Sequence, residues 1–123
     1  MTFKKPIFDL EERCIQFSLS VFKLLDDLKA NKVPYSLIDQ LTRSSSSVGA
    51  NIVEGKSSGT DKEFMRYYRI ALKSGNETKY WLRLIIDGFD VPDKERLKIL
   101  LVEAGEISNI IASIIIKMKN KTK

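Results

Sequence analysis

Four cations at helical spacing carry the clearest chemistry in this sequence. Lys62, Arg66, Arg69 and Lys73 stand 4, 3 and 4 residues apart, the interval that returns side chains to one side of an α-helix. They spread over about 17 Å of helix axis, the scale on which phosphates repeat along a nucleic-acid backbone. Tyr67 and Tyr80 fall near the same stretch. The stripe is a candidate surface for RNA or DNA backbone; it would equally serve as a solvated face with Asp or Glu partners from a neighbouring helix. A second group is polar. Asn51 and Glu54 lie one turn apart, and Arg43 and Glu77 come within reach of each other if the helices carrying them are antiparallel. Across a buried seam such groups fix helix register when all of them are satisfied, and cost stability when they are not. The same four residues are also a candidate ligand site.

Other chemistry is thin. The 123 residues include no histidine, which removes His-based triads, His metal sites and imidazole acid–base catalysis. Ala50 to Ser57 matches a relaxed P-loop pattern with Ala in place of the first Gly. A phosphate loop needs a strand before it and a helix opening at Gly-Lys-Ser, so that amides converge on the anion. Here a helical pattern precedes, the next helix opens only after Thr60, and Glu54 would set a carboxylate beside the phosphate. Ser20 and Lys23 reproduce the Ser-x-x-Lys of acyl-enzymes without the companion motifs. A di-metal carboxylate centre would lack ligands, because its usual form pairs Glu with His and only Glu54 and Glu77 point near an interior. No catalytic residue, metal or cofactor is expected, and the chain reads as a non-enzyme.

The elements that must position these groups are helices. Leu10, Cys14, Phe17, Val21, Leu24 and Leu28 make one stripe, predicting a helix over about 9–30, with Asn31 as a left-handed stop and Pro34 opening the next. Leu37, Leu41, Ser44 or Ser45, Val48 and Ile52 predict a helix over 34–55, in which Ser47, Gly49 and Ala50 let a neighbouring backbone come close. Thr60 and Glu63 form a capping box. From there Phe64, Tyr68, Ala71, Gly75, Thr78, Leu82 and Ile85 predict a helix over 60–87 that Gly88 would end in a left-handed turn. After Pro92, Leu97, Leu100, Ala104, Ile107, Ile111, Ile114 and Met118 predict the last, over 93–119. Short connections between amphipathic helices favour an all-α, antiparallel up-down-up-down four-helix bundle, a single domain over residues 1–123. Ile15, Phe22, Leu25, Ile110, Ile115 and Ile116 exceed one seam. Identical copies would cover the surplus most economically, although a wide stripe in a small monomer explains it as well.

Basic residues number 21 against 16 acidic, a net charge of +5. Without Lys117, Lys119, Lys121 and Lys123 the remaining 17 nearly balance the 16, so the body is close to neutral and the tail, 117–123, is basic. That tail suits a phosphate backbone or a frayed, solvated end. Cys14 is the only cysteine, so no intrachain disulfide forms and no oxidising compartment is implied; a cytoplasmic address is expected. Lys4 and Lys5 are followed at once by Asp9, Glu11 and Glu12, which is no signal-peptide pattern. The uncharged run Ile107 to Ile116 is shorter than the roughly 20 residues that span a bilayer.

Two blocks carry a family resemblance. Gln40-Leu41-Thr42-Arg43-Ser44-Ser45-Ser46-Ser47-Val48-Gly49-Ala50-Asn51-Ile52-Val53-Glu54 resembles the bacterial four-helix bundle family whose founding members are encoded by intervening sequences in 23S ribosomal RNA genes, also described as S23 ribosomal protein-like. Ala71-Leu72-Lys73 and Glu77-Thr78-Lys79-Tyr80-Trp81-Leu82-Arg83-Leu84 are similar to its third-helix signature, and especially to the branch of diversity-generating retroelement accessory proteins. The chain has Glu54-Gly55 where many members have Glu-Ala, and Ser74-Gly75 where that branch often has Glu-Ala. The resemblance, over residues 8–116, implies a non-enzymatic bundle assembled as a ring-like homopentamer. It implies nucleic acid or a reverse transcriptase as partner, and a structural role for Arg43, Asn51, Glu54 and Glu77.

Overall fold

The structure, a computed structural model, describes residues 9–121; the sequence readings of Lys4, Lys5, Thr122 and Lys123 lie outside them. Five helical segments follow in order: α1 (Leu10–Phe22), α2 (Leu25–Ala30), α3 (Tyr35–Lys56), α4 (Asp61–Gly88) and α5 (Lys94–Lys121). α1 and α2 are one rod with a hitch, which corrects the uninterrupted first helix expected over 9–30. At Lys23 and Leu24 the backbone stays right-handed, but the Leu24 amide bonds to Val21 three residues back, at 2.9 Å, one tightened turn. Val21, Leu24 and Leu28 remain buried on one side of it.

Contacts run in opposite sequence order between neighbours. Ser18 and Cys14 of α1 meet Ser45 and Gly49 of α3. Ser44, Ser47 and Gly55 of α3 meet Thr78, Ser74 and Tyr68 of α4. Asp27 of α2 and Arg13 of α1 meet Arg96 and Glu103 of α5. The four rods thus alternate in direction as an all-α four-helix bundle, closed by α5 against α1 and α4. The expected stripes form its core: Phe17, Leu28, Leu41, Ile52, Leu82, Ile85, Leu97, Ile107 and Ile111 are almost fully buried. By length and composition α5 is apolar enough to cross a membrane; in the bundle its Leu97, Ile107 and Ile111 lie in the interior.

Helix ends follow local chemistry. Asp9 caps α1 by accepting from the amides of Glu11 and Glu12. Thr60 caps α4 by accepting from the Glu63 amide at 3.1 Å. The reciprocal half of the capping box is absent because the Glu63 carboxylate turns to Arg66. α2 ends in a Schellman turn: the Val33 amide reaches the Leu28 carbonyl and the Lys32 amide that of Lys29, both at 3.1 Å. Its left-handed residue is Lys32, with φ of 64°, instead of Asn31. Gly88 likewise takes no left-handed conformation; it stays in the helix, which ends at extended Phe89.

α4 packs on its neighbours through small residues. A Cβ on Gly55 would stand 2.8 Å from the Tyr68 ring and 3.3 Å from the Tyr67 Cβ. Tyr68 cannot yield, because it is buried and stacked on Phe64 with ring centroids 4.0 Å apart. The large ring explains why glycine follows Glu54 in this chain. Gly55→Ala is expected to destabilise the fold by about 2 kcal/mol, overpacking outweighing the better helix propensity of alanine; a chemical-denaturation midpoint at or above that of the parent would contradict this. Gly75 is a gentler case. The one tight contact of its Cβ would be the Ser108 hydroxyl of α5, at 2.5 Å, a buried group with no hydrogen-bond partner to hold its rotamer, while Val48 stands at an ordinary 3.9 Å.

Candidate nucleic-acid interface

α4 has a core side and an outward side. Ala71, Gly75, Thr78 and Leu82 are buried. At 100° per residue Lys62, Arg66, Arg69 and Lys73 fall within an arc of about 60° on the opposite side, and all four are exposed. The expected stripe is therefore one continuous outward ridge. Its members differ in commitment. Arg66 donates to the Glu63 carboxylate at 3.0 Å and lies 4.4 Å above the Tyr67 ring. The hydrogen bond and charge of Glu63 push its pKa further up. An exposed pair of this kind is weak because solvent screens it, so Arg66 can exchange Glu63 for another anion. Lys62, Arg69 and Lys73 make no ion pair among the described residues. Among the described residues no acid of a neighbouring helix pairs with these four, and the face they share is solvated.

Beyond Lys73 the ridge changes character. Tyr80 continues it, 58% exposed, with the Trp81 ring edge-on at 5.2 Å. Glu77 stands between them and accepts from the Trp81 indole nitrogen at 3.2 Å.

The expected polar network does not assemble. Arg43 is exposed and pairs with Asp39 on its own helix at 3.0 Å, Glu77 serves Trp81, and Glu54 is exposed. Only Asn51 joins a seam: it donates to the Ser47 carbonyl at 2.8 Å and the Ser47 hydroxyl at 3.0 Å, and that hydroxyl pairs with Ser74 at 2.9 Å. One turn along, the buried Thr78 hydroxyl donates to the Ser74 carbonyl at 2.7 Å and pairs with the Ser44 hydroxyl at 3.0 Å. The seam is made of hydroxyls, which satisfy one another and the helix carbonyls without burying charge. The reason is spacing: Arg43 and Glu77 sit on the outer flanks of helices whose facing positions are Ser44, Ser47, Ser74 and Thr78.

Charge is buried elsewhere, between α1 and α5. Arg13 forks onto Glu103, with Nε and Nη2 each 2.7 Å from a carboxylate oxygen, and Nη2 also reaches Glu106 at 2.8 Å. The Glu103 side chain is 5% exposed and that of Arg13 19%. Hydrogen bonding to Glu103 holds the guanidinium pKa above its ordinary value despite partial burial. The sequence carried one signal of this pair: Glu103 sits 3 residues after Leu100 and 4 before Ile107, at core spacing.

Burial pushes the Cys14 thiol up to about 12, so it stays protonated at neutral pH. No group of three or more Cys, Asp or Glu able to hold a metal occurs among the described residues. The Ala50 to Lys56 stretch is helical, with no strand before it, and its Gly55 is buried under Tyr68.

Comparison with known proteins agrees with this architecture. A crystal structure at 1.70 Å of a protein of unknown function from the S23 ribosomal protein family of Bacteroides thetaiotaomicron VPI-5482 superposes with a TM-score of 0.79 and 29% identity, over 86% of this chain and 97% of that one. No curated protein matches the sequence. The family model of the 23S rRNA-intervening sequence protein matches residues 8–113, and the chain belongs to that family.

Proposed function

We propose that this protein is a non-catalytic, cytoplasmic, homo-oligomeric bundle that holds the phosphate backbone of RNA or DNA on the outward ridge of α4. The observation that carries the reading is the set of exposed cations, Lys62, Arg69 and Lys73, left without acidic partners along about 17 Å of one helix. Arg66 joins them by releasing Glu63. Self-association is supported by two outward apolar patches, Ile15, Leu19 and Phe22 on α1 and Ile99 and Val102 on α5, each residue at least 42% exposed. Two distinct patches suit a head-to-tail contact, which closes into a ring when the rotation allows; a pentameric ring would repeat the ridge five times. The test is binding of structured RNA and duplex DNA across a salt series, with assembly mass measured in the same buffers. An oligomer whose log affinity falls linearly with log salt is expected. Absence of binding even at low salt would remove nucleic acid from the account.

A second reading has its own observation. Between α1 and α3 lies a groove of about 290 Å³, walled by Ile15, Leu19, Phe22 and Val53 over a floor of Gly49 and Ala50. It suits a protein-interaction scaffold or accessory subunit, a reverse transcriptase being the partner the family resemblance implies. Such a complex would survive nuclease and high salt, where backbone binding would not.

A further inference from the structure

We infer that the α4 ridge takes single-stranded nucleic acid, with phosphates on the cations between Lys62 and Lys73 and an unpaired base stacked on Tyr80. The inference rests on the backbone-binding reading above and names the form of nucleic acid that the ridge selects.

Three observations lead there. Tyr80 lies on the line of the cations, in the same 60° arc as Lys62, Arg69 and Lys73 and about 10 Å along the axis from Lys73. Large aromatic side chains are ordinarily turned inward, yet Tyr80 is 58% exposed and makes no hydrogen bond among the described residues. Its ring is not loose: Trp81, half-buried against the core, meets it edge-on at 5.2 Å and 69°. Trp81 is in turn held by its indole N–H on Glu77. A buttressed ring with open surface is a stacking platform, and every base offers a π-face to it.

The charge pattern separates the two halves of the ridge. Around Lys62, Arg69 and Lys73 there is net positive charge to receive phosphates. At Tyr80 the flanking exposed charges are Glu77 and Arg83, one turn to either side, and each is engaged, the carboxylate by the Trp81 indole and the guanidinium by Asp87, so no unpaired cation draws a phosphate there. A strand following the ridge therefore places backbone on the first half and turns a base inward at the second. In a duplex the bases are stacked on one another and presented only as edges in the grooves, so Tyr80 has nothing to stack on and only the cations are engaged.

The experiment compares a 12-nucleotide oligouridine RNA with a 12-base-pair RNA duplex in low salt, for the parent and for Tyr80→Ala and Tyr80→Phe, with helicity checked for each. Trp81 is the sole tryptophan, so a base arriving on Tyr80 is also read as a change in its fluorescence. Tyr80→Ala is expected to weaken single-strand binding about 10-fold and leave the duplex unchanged, while Tyr80→Phe retains the parent affinity. Single-strand affinity unchanged in Tyr80→Ala, or equal losses on both ligands, would overturn the stacking inference while leaving backbone binding in place. Failure of the parent to bind either ligand would overturn both.

Discussion

Arg13→Ala is expected to lower the stability of the fold by about 3 kcal/mol and its melting temperature by roughly 10 °C. The substitution leaves the Glu103 carboxylate, 5% exposed, without the guanidinium that accounts for two of its contacts at 2.7 Å. An unpaired buried charge cannot recover its hydration, and α5 must either open toward α1 or admit water. The reverse deletion is milder. In Glu103→Ala the guanidinium keeps Glu106, at 2.8 Å, and its own partial exposure, so about half the loss is expected. Replacing both at once, Arg13→Met with Glu103→Leu, removes the uncompensated charge and should return most of the stability, since a buried ion pair contributes little over well-packed apolar groups. The pair would then serve chiefly to set the register of α1 on α5. Thermal melts of the four proteins decide it; a melting temperature for Arg13→Ala within a degree of the parent would mean that Glu103 is solvated in solution.

Reversing charge on the ridge, Arg69→Glu with Lys73→Glu, is the second large effect. Each unit charge about 4 Å from a phosphate is worth about 1 kcal/mol in water, so reversal changes about 2 kcal/mol per position. Salt at 0.1 M screens roughly half of the total. About 30-fold weaker binding is expected at that ionic strength, equally across nucleic-acid sequences because phosphates carry no sequence information. Both side chains are exposed and make no ion pair among the described residues, so helicity and melting temperature should not move. Unchanged affinity in the folded variant would take the ridge out of the proposed interface.

The two predictions mark what could be read from the sequence. Stripes such as Leu10 to Leu28 and Phe64 to Ile85 gave the core, because one apolar period of 3.6 maps directly onto one buried side. The hitch at Lys23 and Leu24 escaped for the same reason: a single tightened turn leaves Val21, Leu24 and Leu28 on their side, so the pattern does not register it. The end of α2 went to Lys32 where Asn31 is the better left-handed residue, because the Schellman bonds to Leu28 and Lys29 fix the position of the turn. The basic ridge was legible since spacing alone puts cations on one face. Whether they are neutralised was not, because that depends on which helix packs beside them; only Arg66 proved to be paired, and from within its own helix. Arg13 and Glu103 are 90 residues apart, and no periodicity links them. The serines of α3 were legible as part of a helical stripe, but not their partners across the seam, where Ser44 meets Thr78 and Ser47 meets Ser74.

The measurement that bears most directly on the proposed interface is the slope of log affinity against log salt for the parent and for Lys62→Gln, Arg69→Gln, Lys73→Gln combined, on one RNA strand. If these cations sit on phosphates, each displaces condensed counterions, and on a single strand the slope should become shallower by about 0.7 for every cation removed from a site. Parallel slopes for the two proteins, whatever their absolute affinities, would contradict backbone binding on α4.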